Sequence, residues 1–235
     1  MKIEIWSDVI CPFCYIGKRN QKKALEQFPD RDQLEIIWRS FMLDPSIPYI
    51  AENSYAEHLV IRKGLSIEQV NGMISGIIQT AKHAGLEFNF EKSVLTNSYK
   101  AHQFIQFAKS KGLGDQAEEF LFEAFFTSGK DTADTETLLQ LAETIGLEKK
   151  QLATVLENNT YSSQIDQEMK DAKKQGLNGV PFFLFNQKHA VSGAQPPEAF
   201  LSLLNRSFSE WQVESQNNIL DMTGGGACSL DGECE

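Results

Sequence analysis

The sequence predicts an α/β fold into which an all-helical domain has been inserted, and three observations predict it. The chain opens with a strand, a helix and a strand pattern. It closes with helix, strand, strand and helix. Between about Pro45 and Tyr161 no strand pattern stands out, while apolar residues recur at helical spacing.

Lys2 to Ser7 alternates Ile3, Ile5 and Ser7 against Glu4 and Trp6, the two-residue period of a strand. From Pro12 the period changes. Ile16, Ala24, Leu25 and Phe28, with Lys and Arg between them, suit an amphipathic helix, and a proline fits its first turn because no helical N–H is lost there. Leu34-Glu35-Ile36-Ile37-Trp38 is a second strand, closed by Asp44-Pro45, and this strand-helix-strand unit suits parallel pairing.

The insertion carries one apolar stripe through Ile67, Val70, Ile74, Ile77, Ile78 and Ala81, and another through Ala101, Phe104, Ile105 and Ala108. A third runs through Phe120, Leu121, Ala124 and Phe125, and a fourth through Leu138, Leu139, Ala142 and Ile145 up to Gly146. A further helix spans roughly Ser163 to Gln175 and ends at Gly176. Gly179 to Asn186 then reads as a strand, and His189 to Gly193, beyond the Asn186-Gln187-Lys188 turn, as its antiparallel partner. Pro196-Pro197 opens a last helix bearing Phe200, Leu203, Leu204 and Trp211. From about Asn217 the periodicity stops. The expected organisation is a discontinuous α/β domain of residues 1-44 and 162-216, an inserted helical domain of residues 45-161, and a flexible tail of residues 217-235.

Composition narrows the function. With 235 residues, 41% of them hydrophobic, the chain can bury a core without disulfide staples. A net charge of -10 and the lack of a basic run argue against nucleic acid as partner. No stretch approaches the ~20 apolar residues of a membrane span. Ile3-Glu4-Ile5-Trp6-Ser7-Asp8 follows Met1-Lys2 too polar for an export signal, so a cytoplasmic protein is expected.

Four cysteines lie in two local pairs at opposite ends of the chain, a distribution that suggests chemistry rather than stapling. Cys11-Pro12-Phe13-Cys14 falls at the first turn of a helix, where unpaired backbone amides and the positive end of the helix dipole favour a thiolate. Cys11 would attack a substrate disulfide, and Cys14, one turn deeper, would resolve the mixed disulfide. Spacing of three along a helix puts both sulfurs on one face. The competing use of such a pair is half a zinc site, whose other ligands would have to be Cys228 and Cys234 across the whole chain. The redox use is the expectation, with no metal and no cofactor.

Ser7-Asp8-Val9-Ile10-Cys11-Pro12-Phe13-Cys14-Tyr15-Ile16-Gly17, Trp38-Arg39-Ser40-Phe41-Met42-Leu43-Asp44-Pro45, Asn178-Gly179-Val180-Pro181-Phe182-Phe183 and Val191-Ser192-Gly193-Ala194-Gln195-Pro196 occur in this order. Together they resemble the cytoplasmic DsbA-like proteins of the FrnE type. The resemblance implies a thioredoxin-like fold with an inserted all-helical domain. It also implies that Val180-Pro181 forms a cis-proline loop facing Cys11 and offering backbone groups to an extended substrate, beside Pro12 and Phe13. Taken without the resemblance, a trans proline opening a strand is the ordinary reading. Cys228-Ser229-Leu230-Asp231-Gly232-Glu233-Cys234 resembles the C-terminal cysteine pair of some members, which implies electron exchange with Cys11 and Cys14; the alternative is a tail whose thiols matter little. The Pro12-Phe13 dipeptide lacks the histidine of periplasmic DsbA. A reduction potential nearer the thioredoxin or isomerase range than the strongly oxidising extreme is therefore expected.

Other polar residues are read conservatively. Ser7-Asp8 could tune Cys11 or cap the following turn, and the cap is preferred. His58, His83, His102 and His189 show no ligand spacing and are read as structural or solvated. The functional expectation is a thiol-disulfide oxidoreductase, reductase or isomerase, acting on protein or peptide disulfides and recharged by a thiol reductant such as glutathione or the thioredoxin system. The alternatives are a glutathione-dependent isomerase or transferase for small aromatic molecules, which would not need Cys14, and a holdase chaperone with an apolar groove.

Overall fold

The computed structural model of the chain describes residues 1–51 and 53–222, with side chains up to residue 216. Its sheet has four strands in the order β2-β1-β3-β4. The run with strict alternation forms β1 (Lys2–Ser7), and α1 (Pro12–Gln27) returns the chain so that β2 (Glu35–Ser40) pairs with it in parallel, from Lys2 opposite Glu35 to Ser7 opposite Ser40. β3 (Phe182–Phe185) lies antiparallel on the other side of β1, and β4 (His189–Ser192) is its hairpin partner. The turn between them needs left-handed backbone, which Asn186 and Gln187 adopt with φ of 47° and 58°.

Between β2 and β3 the chain is helical: α2 (Tyr55–Lys63), α3 (Ile67–Ala84), α4 (Tyr99–Lys109), α5 (Gly114–Phe122) with a π-helical turn at Glu123–Thr127, α6 (Thr135–Thr144), α7 (Lys149–Asn158) and α8 (Ser162–Lys174). The α/β class and the helical insertion are thus as the sequence predicts. The reading by apolar stripes passes over two helices: α2 buries only Tyr55, whereas α7 carries Leu152, Val155 and Leu156 at helical spacing, a signal as strong as that of α6. Local capping defines α2 instead, since Ser54 and Glu57 form a reciprocal capping box and left-handed Gly64 ends the helix. The last helix, α9 (Pro197–Met222), continues past residue 216. No glycine or proline interrupts the sequence before Gly224, so loss of apolar periodicity there does not end the helix.

Three apolar clusters are buried among the described residues, a small one of Trp6, Ala172, Leu177 and Leu184 on the face of the sheet opposite Ile3 and Ile5, and two larger ones. Ile3, Ile5, Phe183 and Phe185 join Ala24 and Phe28 of α1 and Phe200, Leu204 and Phe208 of α9 on one side. The other core gathers Phe104, Phe122, Phe125 and Phe126 of the insertion, and it includes Val9, Ile10, Cys11, Cys14 and Tyr15. The cysteine turn therefore packs into the core of the insertion rather than standing apart from it. Among the described residues, no helix is long and apolar enough to cross a membrane.

Candidate active site

Both cysteines of the first motif owe their places to how β1 hands over to α1. The Cys11 N–H donates to the Asp8 carbonyl at 3.0 Å, closing a tight turn after β1. Cys11 is then the N-cap of α1, with extended backbone (φ −92°, ψ 111°), and Pro12 starts the helix. The Cys14 N–H donates to the Cys11 carbonyl at 3.0 Å. Both thiols are free, Cys11 4% exposed and Cys14 1%. Burial pushes the Cys14 thiol well above its ordinary pKa, and hydrogen bonding and charge from Cys11 add to this; the Asp8 backbone and Ser7 act in the opposite direction.

The far end of the sequence meets this turn. Cys11 Sγ donates to the Val180 carbonyl at 3.5 Å, and the Val180–Pro181 peptide bond is cis. Gly17, one turn beyond Cys14, makes the approach possible: a Cβ there would sit 3.2 Å from Pro181 Cγ and from Phe183 Cζ. Pro12 is buried, whereas Phe13 is 41% exposed. Leu43, another exposed apolar residue, is tied to the same loop by its N–H, which donates to Asp8 Oδ2 at 2.7 Å. The structure thus brings Cys11, Cys14, Val180 and Pro181 together, with Phe13 at the rim. Cys228 and Cys234 lie outside the described residues. Among the described residues no group of three or more His, Cys, Asp or Glu side chains could hold a metal ion.

Asp8 caps the turn that follows it, its Oδ1 accepting the Ile10 N–H at 3.4 Å, while Cys11 is the N-cap of α1, which has no side-chain cap. The same fully buried carboxylate also bridges segments, its Oδ2 accepting the Leu43 N–H at 2.7 Å. Behind it stands His102 of α4, also fully buried, with Nε2 3.6 Å from Asp8 Oδ1. Burial pulls the His102 pKa down, but Asp8, with Glu118 and Glu168, outweighs burial and holds it above the ordinary value. Tyr55 of α2 closes the other flank, its hydroxyl donating to the Ile10 carbonyl at 3.4 Å. Neither Tyr55 nor the Asp8–His102 pair is singled out by sequence. The available signal was helical phase, since His102 lies next to Ala101 and one turn from Ile105 on the stripe that α4 buries.

A chemistry follows from this geometry. A shallow sulfur at a helix N-terminus, a deeper one a turn below and a backbone carbonyl across from the first form a dithiol able to capture and release another sulfur.

Comparison with known proteins gives the family. A family model described as the DSBA-like thioredoxin domain matches residues 2–205. The uncharacterized protein YwbO of Bacillus subtilis (strain 168) is 27% identical over 207 residues, covering 84% of this chain and 92% of that protein. Among solved structures, a probable DsbA oxidoreductase from Streptomyces coelicolor superposes with a TM-score of 0.84 at 29% identity, covering 100% of this chain and 98% of that one. The cytosolic disulfide reductase DsbM from Pseudomonas aeruginosa, with GSH, has a TM-score of 0.66 at 14% identity over 89% of this chain and 100% of that one, a likeness of fold.

Proposed function

This chain belongs to the DSBA-like thioredoxin domain family, and on that premise we propose that it is a cytoplasmic enzyme that reduces or isomerises disulfides in proteins and peptides through Cys11 and Cys14. The observation that carries the reading is Cys11 Sγ at the start of α1, 3.5 Å from the Val180 carbonyl, with Cys14 buried beneath it.

In this reading the Cys11 thiolate attacks one sulfur of a substrate disulfide. A Cys11–substrate bond forms, the substrate disulfide breaks, and the other substrate sulfur leaves as a thiolate and takes a proton. Cys14 then loses its proton and attacks Cys11 Sγ. The mixed disulfide breaks, the second substrate thiol departs, and two electrons have moved from the dithiol to the substrate. Pro12, Phe13, Val180 and Pro181 receive the substrate chain, the backbone of Val180 offering its polar groups to an extended segment. A thiol reductant, glutathione or the thioredoxin system, restores the dithiol, and Cys228 with Cys234 acts as an accessory redox pair. Isomerisation is the same sequence interrupted, with a substrate thiol rather than Cys14 displacing Cys11.

An insulin-reduction assay with wild type, Cys11→Ser, Cys14→Ser and the Cys228→Ser/Cys234→Ser double variant tests this. Cys11→Ser is expected to abolish turnover, Cys14→Ser to accumulate the mixed disulfide, and the tail variant to slow recharging. Undiminished turnover in Cys14→Ser with glutathione would instead favour a glutathione-dependent isomerase or transferase. Suppression of aggregation that survives Cys11→Ser, without any reductase activity, would favour a holdase.

A further inference from the structure

The side chain of His102 presents a polar problem that the dithiol chemistry does not use. It is fully buried, and among the described residues neither Nδ1 nor Nε2 has a hydrogen-bond partner. A neutral imidazole so placed leaves a buried polar group unsatisfied, with no charge pairing to compensate it. A charged one has a reason to be there, because Asp8 Oδ1 lies 3.6 Å away and carboxylates face it from two further elements, Glu118 of α5 and Glu168 of α8. Asp8 in turn holds the cysteine turn. Its carbonyl accepts the Cys11 N–H, its carboxylate accepts the N–H groups of Ile10 and Leu43, and Cys11, Cys14 and Tyr55 of α2 are the titratable groups near it.

We propose that His102 is a positioning residue for the dithiol: as a cation paired with Asp8 behind the cysteine turn, it favours thiolate over thiol and ties the redox balance of Cys11 and Cys14 to the packing of the inserted helical domain. The sign follows from charge. Asp8 alone, anionic and buried, would repel a thiolate formed at the turn it anchors, and the imidazolium cancels that repulsion. By linkage the effect is reciprocal, so a thiolate at the turn strengthens the hold of His102 on its proton, and closing the disulfide weakens it. The inference rests on the dithiol reading of Cys11 and Cys14.

The test is the pH profile of iodoacetamide alkylation of the reduced full-length chain, in wild type, His102→Gln and the Asp8→Asn/His102→Gln double variant, with folding checked by circular dichroism. His102→Gln is expected to move the midpoint up by about 0.5–1 pH unit, a roughly three- to ten-fold loss of thiolate at fixed pH. The double variant, having lost both charges, should return toward wild type. A folded His102→Gln whose profile superposes on wild type overturns the proposal. If that variant does not fold, nitrogen-15 spectra of histidine-labelled wild type at pH 7 decide: an imidazolium whose ring shifts respond to oxidation of the pair supports it, and a neutral ring or an unresponsive one overturns it. Wild type that forms no Cys11–Cys14 disulfide in glutathione buffers fails the dithiol reading itself, an outcome separate from either of these.

Discussion

Glu168 on α8 and Glu118 on α5 are both carboxylates buried where the helical insertion meets the α/β domain, 6% and 1% exposed, yet their proton affinities move in opposite directions. Glu168 Oε1 accepts from Lys109 Nζ at 2.8 Å and Arg39 Nη1 at 3.1 Å, and its Oε2 accepts the Ser40 N–H at 2.7 Å. Burial raises its pKa, but Lys109 first, then Ser40 and Arg39, hold it below the ordinary carboxylate value. Glu118 Oε2 has no hydrogen-bond partner among the described residues, and burial, only partly offset by His102 and Lys18, pushes its pKa up to about 7. Burial alone therefore does not decide what a carboxylate does here; the donors aimed at it do. The Glu168 site is a satisfied knot joining α8, β2 and α4. At Glu118 only the charges of His102 and Lys18 lean against burial, and no donor meets Oε2 among the described residues.

The largest way to break this comparison is Glu168→Ala, which strands Lys109 and part of Arg39 as uncompensated cations. A loss of roughly 3–5 kcal/mol is expected in urea denaturation at pH 7. A loss below about 1 kcal/mol would mean that the knot is not a structural one. Because the folded pKa of Glu168 is depressed, its contribution is complete above the unfolded value of 4.5 and disappears as pH falls through the folded one. Wild type should thus lose more stability on acidification than the variant.

Glu118→Gln sharpens the comparison with the opposite sign. A folded pKa of about 7 lies above the ordinary 4.5, so wild type loses stability as pH rises between those values. The amide, which cannot ionise, should be more stable than wild type at pH 8 by on the order of 1–3 kcal/mol, with no gain at pH 4. Paired denaturation curves at the two pH values check this, and a gain of equal size at both would point to packing rather than ionisation.

The smallest effect expected is that of Gly17→Ala, which tests whether the apolar seam at the site is as tightly set as the Glu168 knot. The added methyl meets Pro181 and the fully buried Phe183 at 3.2 Å, closer than ordinary van der Waals contact, so both must give way by a few tenths of an ångström. A helix-propensity gain of up to about 1 kcal/mol offsets part of an overpacking cost of roughly 1–3 kcal/mol, leaving a net loss near 1 kcal/mol by thermal denaturation. A net gain would show that Pro181 can shift without cost.

By itself the sequence determined those features that arise within a few residues. The alternation of Ile3 and Ile5, the apolar stripes of α3, α4 and α6, the turn at Asn186 and the Cys11-Pro12-Phe13-Cys14 spacing are set by local backbone periods and short-range sterics, so they can be read without knowing the fold. The short helix α2, which buries only Tyr55, left no such trace, whereas α7 carries one in Leu152, Val155 and Leu156. Only the tertiary structure decided that the Val180 carbonyl meets Cys11, that Asp8 holds Leu43 as well as its own turn, that His102 stands behind Asp8, and that Lys109 and Arg39 neutralise Glu168. Those outcomes depend on which charges and donors meet across more than a hundred residues of chain, as Cys11 and Val180 do. Electrostatic energy follows that distance and burial in space, and a sequence pattern records neither.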